Sequence, residues 1–150
     1  MKRYYRYEEF VKDVHTLVQK VQNKGVQIDT IVALARGGVT LAHALSEALE
    51  LRDLQTIQTQ LYDGEKKRNN ITIKNSTQLC SNTTVLVVDD IADSGETLLR
   101  VMKQLHQLHP DVRFITATLF YKKSSVFTPD IWIHEANEWI EFFWENDFTL

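Results

Sequence analysis

The chain has 150 residues, 43% apolar and 25% charged, with a net charge of −3 and one cysteine, Cys80. That is enough chain for one globular domain, 1–150, with a real core; the charge gives no reason to expect a nucleic-acid partner, and a lone cysteine excludes an internal disulfide and fits a reducing cytoplasm. No apolar run approaches the roughly 18 residues that span a bilayer, and Met1-Lys2-Arg3-Tyr4 leads into polar sequence, unlike a secretory signal.

Phe10, Val11, Val14, Leu17, Val18 and Val21 recur at helical spacing, with Glu8 and Glu9 early and Lys24-Gly25 closing the pattern, which predicts an amphipathic helix. Ile31 to Leu34 reads as a short buried strand that runs into Ala35-Arg36-Gly37-Gly38, after which Leu41, Ala42, Leu45, Ala48 and Leu49 take up helical spacing. A glycine pair at a strand end usually marks only a tight turn. At a strand's carboxyl end, however, exposed amides beside a guanidinium that binds phosphate in a fork also make a pyrophosphate cradle. Leu54 to Leu61 alternates loosely and predicts a strand; the polar stretch from Tyr62 to Asn70 is long enough for a lid or an insertion, and Ile71 to Lys74 for a short strand.

Val85-Leu86-Val87-Val88 is apolar and mostly β-branched, as in a strand buried on both faces of a parallel sheet. Asp89 and Asp90 are expected where it runs out. From Gly95 the period changes, with Leu98, Val101, Met102, Leu105 and Leu108 on one helix face, so the loop between is a strand-to-helix turn, where open α/β sheets bind ligands. Amides at the helix start, close approach at Gly95 and the hydroxyls of Ser94 and Thr97 suit a phosphate monoester. Asp89 and Asp90 would repel that phosphate, so they face hydroxyls or a hydrated Mg²⁺. A ribose 5-phosphate has this layout of diol and phosphate.

After His109-Pro110, Val112 to Phe120 predicts another buried strand, with Lys122 and Lys123 just past its end. Asp130 to His134 predicts a last strand. The tail Glu138-Trp139-Ile140-Glu141-Phe142-Phe143-Trp144-Glu145 is densely aromatic, which more often means core or interface than a site.

Val85 to Leu98 resembles the phosphoribosyl-pyrophosphate motif of the type I phosphoribosyltransferases, which specifies residue types at nearly every position. An acidic pair after such a strand also opens receiver domains, but near the amino terminus, whereas only about sixty residues follow here. The spacing Asp89-Asp90-x-x-Asp93 matches the aspartate-rich box of prenyl-diphosphate enzymes, which lies inside a helix; the β-branched run before it and Ser94-Gly95 after it oppose a helix. The tail is similar to the closing segment of bacterial xanthine-guanine phosphoribosyltransferases.

The resemblance implies an α/β fold with a mostly parallel twisted sheet flanked by helices, a flexible hood loop and a small C-terminal base-binding segment. It implies a Mg²⁺-dependent transfer of the 5-phosphoribosyl group from phosphoribosyl pyrophosphate to N9 of a 6-oxopurine. Asp89, Asp90, Ala92, Asp93, Ser94, Gly95, Glu96 and Thr97 would bind the sugar phosphate, although Glu96 departs from the motif and suits a phosphate neighbour only if it points to solvent. Asp89 would bind the metal directly and Asp90 through water. Ala35, Arg36, Gly37 and Gly38 would hold pyrophosphate, with a non-proline cis peptide around Ala35-Arg36. Tyr62 would belong to the hood, Lys122 would donate to the purine O6, Trp139 would stack on the base, Ile140 would offer backbone groups near its 2-position, and Asp93 would act as general acid/base. A homo-dimer or tetramer is expected.

Transfer to another base, or a nucleotide-sensing regulator on the same fold, remains an alternative. There is no GxGxxG, Walker A, HExxH or GxSxG motif. His106 and His109 share a helix face and are expected at the surface, and His15, His43 and His134 show no metal-ligand spacing.

Overall fold

A computed structural model describes residues 1–61 and 71–150 of the chain. The elements in order are β1 (Lys2–Tyr5), α1 (Tyr7–Gln22), β2 (Thr30–Ala35), α2 (Val39–Ala48), β3 (Leu54–Leu61), β4 (Ile71–Ile73), β5 (Thr84–Ala92), α3 (Glu96–Leu108), β6 (Arg113–Tyr121), β7 (Ile131–Glu135), β8 (Trp139–Phe142) and α4 (Phe143–Asn146). The main sheet has the order β4-β3-β2-β5-β6-β7 and is parallel except for β4. A separate ribbon pairs β1 with β8 in parallel.

The central strands read as unbroken apolar runs because both faces of the sheet are covered. On one face, Leu17 of α1 and Leu41 and Leu45 of α2 join a core that includes Ile31, Ala33, Leu86 and Val88. On the other, Leu98, Val101, Met102 and Leu105 of α3 join Val32, Leu34, Val85 and Val87. Leu108, expected on that apolar face, lies in the last turn of α3 and is exposed.

Two boundaries differ from the sequence reading in ways that matter for the site. β5 continues past Val88 through both aspartates, paired with β6 as far as Ala92 opposite Tyr121. Its pairing with β2, by contrast, ends at Ala33 opposite Val88. Asp89 and Asp90 therefore lie within a strand that has lost one neighbour, and not at its end. β1 was not foreseen at all: of Lys2-Arg3-Tyr4-Tyr5 only Tyr5 is buried, and the segment becomes a strand because β8 supplies its ladder partners.

The chain leaves β2 toward β3 on one side and leaves β5 toward β6 on the other. The carboxyl ends of β2 and β5 thus diverge at the switch point of the sheet, where α/β proteins open a binding crevice.

Candidate active site

After Ala92 the chain turns through Asp93 and Ser94 to Gly95, which caps α3 with a φ of 80° in the left-handed region. A Cβ at Gly95 would also collide with Ser125 Oγ and lie 2.7 Å from the Phe127 amide nitrogen, so glycine is required twice over. The opposing wall is held to the turn by the Lys122 amide, which donates to the Ala92 carbonyl at 3.0 Å, and the Val126 amide, which donates to Ser94 O at 2.8 Å. The turn itself encloses a hollow of about 90 Å³ lined by Asp89, Ile91, Ala92, Asp93, Ser94, Gly95, Thr97 and Leu98. Helix-start amides and the two hydroxyls suit an anion. Glu96 is half-buried in the first turn of α3 and stands outside this lining.

Asp90 is buried, its own amide donating to Asp89 Oδ1 at 2.9 Å while the Ile91 amide donates to Asp90 Oδ1 at 2.7 Å. Burial, reinforced by the charge of Asp90, raises the Asp89 carboxyl well above the usual carboxylate range. Burial likewise pushes Asp90 up to about 6, with the Glu145 charge adding to the effect. Two carboxyls held where their charge is unfavourable, with hard oxygen donors facing a crevice, fit a divalent cation whose remaining ligands come from substrate and water. No cluster of three or more His, Cys, Asp or Glu side chains able to hold a metal occurs among the described residues, so such an ion would depend on those outside ligands.

The turn after β2 meets this pair directly. The Ala35–Arg36 peptide bond is cis. A Cβ at Gly37 would come within 2.6 Å of Asp90 Oδ2, and one at Gly38 within 2.5 Å of the Val88 carbonyl oxygen. Both glycines are thus needed for close approach of this turn to β5. Arg36 and Gly37 open onto a cleft of about 830 Å³ that Thr40, Trp144 and Glu145 also line.

A third hollow, of about 270 Å³, is lined by Asp90, Ile91, Asp93, Lys122, Glu138, Trp139, Ile140, Phe142 and Glu145. Lys122 Nζ donates to Asp93 Oδ1 at 2.9 Å. Trp139 is 63% exposed, an unusual loss of apolar burial for an indole that lines a cavity, and it leaves a ring face for a planar ligand. Ile140 is buried. Asp93 borders the 90 and 270 Å³ hollows, and Glu145 borders the 270 Å³ hollow and the large cleft. The three spaces adjoin in the order phosphate-sized, planar-ligand-sized and open.

The structure therefore gathers nearly all of the expected residues, while Tyr62 lies outside those described. Sequence reasoning missed Glu138, Phe142 and Glu145 as cavity walls and Ser125 to Phe127 as the segment packed against Gly95. Glu145 sat in a quoted motif, but nothing in its spacing places it beside Asp90. His109, expected at the surface with His106, is half-buried and within 3.3 Å of Thr77 Oγ1. His134 contacts Asp13 at 2.7 Å, a pairing invisible across so wide a gap in sequence.

A family model described as a phosphoribosyl transferase domain matches residues 1–148. The chain belongs to the phosphoribosyltransferase family. The solved structure of the Helicobacter pylori xanthine-guanine-hypoxanthine phosphoribosyltransferase is similar over 98% of this chain and 96% of that one, with a TM-score of 0.91 and 38% identity. A xanthine-guanine phosphoribosyltransferase of Idiomarina loihiensis is 28% identical over 142 residues, 93% of this chain and 84% of its own. A hypothetical protein from Neisseria gonorrhoeae, solved with bound ppGpp, is 25% identical with a TM-score of 0.78, over 97% of this chain and 89% of that one. The sheet is that of a phosphoribosyltransferase, as the sequence motif implied. Among the described residues no helix is long and apolar enough to cross a membrane.

Proposed function

We propose that this chain, as a single phosphoribosyltransferase domain, transfers the 5-phosphoribosyl group from phosphoribosyl pyrophosphate to N9 of a 6-oxopurine, giving the mononucleotide and pyrophosphate. The observation that carries the reading is the Lys122–Asp93 pair beside Trp139 in a cavity adjoining the phosphate hollow. An ammonium and a carboxylate side by side match an acceptor next to an N–H on one ligand edge, which is the O6 and protonated N7 of a 6-oxopurine. The exposed face of Trp139 suits stacking on the ring, and Ile140 backbone groups suit its 2-position. The similarity to the Helicobacter xanthine-guanine-hypoxanthine enzyme and the Idiomarina xanthine-guanine enzyme supports the same class of base.

At C1 the reaction passes through an oxocarbenium-like state as pyrophosphate departs, so the site must stabilise the leaving group and exclude water. Arg36 and the amides of Gly37 and Gly38 hold the leaving pyrophosphate. Asp89 and Asp90 hold the ribose hydroxyls, and the Ser94 to Thr97 turn fixes the 5-phosphate. Asp93 takes the N7 proton as N9 bonds to C1. When bound, Mg²⁺ held by Asp89, and by Asp90 through water, supplies charge neutralisation at the pyrophosphate. A homo-oligomer suits the exposed Tyr4, Tyr7, Val39 and Phe148, and a reducing cytoplasm suits the exposed free thiol of Cys80.

Pyrophosphate release is to be measured with guanine, xanthine, hypoxanthine and adenine, with and without Mg²⁺. Mg²⁺-dependent turnover of 6-oxopurines and none of adenine is expected. Turnover of adenine alone would remove the Lys122 role. A second reading, a nucleotide-sensing regulator, draws on the ppGpp bound to the Neisseria relative. Binding of ppGpp without pyrophosphate release from any base would favour it.

A further inference from the structure

The cavity wall that carries Trp139 and Ile140 hangs from the amino terminus. Among the described residues β8 has one strand partner, β1, with Lys2 opposite Trp139, Arg3 opposite Ile140 and Tyr5 opposite Phe142. β1 in turn is fixed by a buried polar junction. Tyr5, wholly buried, donates its hydroxyl to Asp13 Oδ2 at 2.6 Å, and His134 Nε2 meets the same oxygen at 2.7 Å. A carboxylate oxygen can only accept, so the His134 contact requires the proton on Nε2. Asp13 is buried on the face of α1 that otherwise presents Phe10, Val14 and Leu17. One oxygen thus joins β1, α1 and the edge strand β7.

The Tyr5 ring passes the constraint on. It meets Phe142, a wall of the base cavity, edge to face at 5.7 Å, and Phe120 at 5.1 Å, while the His134 ring lies tilted 5.2 Å from Phe120. Arg3 ties the same strand to α1 through Glu9 at 2.8 Å and lies over the Phe120 ring. By contrast, the residues assigned to phosphate and pyrophosphate sit at the ends of β5 and β2 and on the turns that follow, and those ladders belong to the main sheet.

We propose that Tyr5, Asp13 and His134 are positioning residues for base recognition: their junction sets the β1–β8 ribbon and so the placement of Trp139 and Ile140, while leaving the sugar-phosphate half of the site untouched. A fully apolar junction would fill the same space, but it would leave the ribbon free to slide along its partners, whereas hydrogen bonds fix direction and register. The proposal rests on reading the 270 Å³ cavity as the base site.

The test compares Tyr5→Phe, His134→Gln and His134→Ala with the parent protein. Tyr5→Phe and His134→Ala should raise KM for the base about three- to tenfold, the net worth of one such hydrogen bond, with KM for phosphoribosyl pyrophosphate and kcat within about twofold. His134→Gln, which keeps an N–H donor, should recover most of the loss. Amide exchange should quicken at 139–142 in Tyr5→Phe and stay unchanged at 85–88. An unchanged base KM, or equal movement of both KM values, would overturn the proposal, as would unchanged exchange at 139–142. The exchange readout is independent of turnover, so a parent protein that turned over no 6-oxopurine would defeat the base-site reading and leave the ribbon's anchoring separately decided.

Discussion

Asp93 and Lys122 neutralise each other at 2.9 Å in the free protein, both about half exposed. A pair so open to water contributes about 0–1 kcal/mol, so an incoming base can part it at small cost and take both hydrogen bonds. Asp93→Asn keeps the shape and removes the proton acceptor. It should lower kcat by about 10²- to 10⁴-fold while the Kd for phosphoribosyl pyrophosphate, read by calorimetry, changes far less; equal losses in both would reduce Asp93 to a binding group. Trp139→Ala removes an exposed indole from a cavity wall in which Ile140 and Phe142 are buried. The base KM should rise by the equivalent of about 1–3 kcal/mol, and a steady-state KM that stays put would make the indole scaffold.

The turn after β2 packs directly against the end of β5. Gly38→Ala would drive a methyl into the Val88 carbonyl and toward the Asp89 Cα, both backbone and unable to swing aside. Denaturant melts should show a loss of about 1–3 kcal/mol typical of overpacking, accompanied by a higher KM for phosphoribosyl pyrophosphate, because the turn must withdraw from the acidic pair. If stability fell without any kinetic change, the contact between this turn and β5 would be structural alone. The β1–β8 ribbon carries a pH signature of its own. Burial first, and the Asp13 hydrogen bond second, raise the Tyr5 hydroxyl far above its ordinary value near 10. The unfolded chain releases that proton near pH 10 while the folded chain keeps it, so the contribution of Tyr5 is fully present below about pH 10 and declines beyond it by up to about 1.4 kcal/mol per pH unit. Urea melts at pH 9 and 11 should show the stability advantage of the parent over Tyr5→Phe shrinking at the higher pH; a constant advantage would contradict a buried, protonated phenol.

The order β4-β3-β2-β5-β6-β7 explains why one crevice collects the proposed site residues. Because β2 and β5 separate beyond Val88, the aspartates of β5, the Arg36 turn and the β8 wall all reach the same opening. The phosphate turn was legible in the chain because a strand, a left-handed glycine and a helix start are local matters, set within fourteen consecutive residues. Arg36 to Gly38 was legible for the same reason, and the α1, α2 and α3 faces followed from their 3.6-residue period. β1 was not, since Lys2 to Tyr5 has no strand signal apart from its partner.

Val85 to Leu98 carried the family and the strand-to-helix turn in residue order alone, because backbone preference and hydroxyl placement there depend on near neighbours. Folding decided which distant groups share a wall: Glu145 with Asp90, Lys122 with Asp93, and one oxygen of Asp13 with both Tyr5 and His134. Those pairings arise from strand order and crossover geometry, which bring together residues up to 121 positions apart, and no local period records a contact made across the sheet.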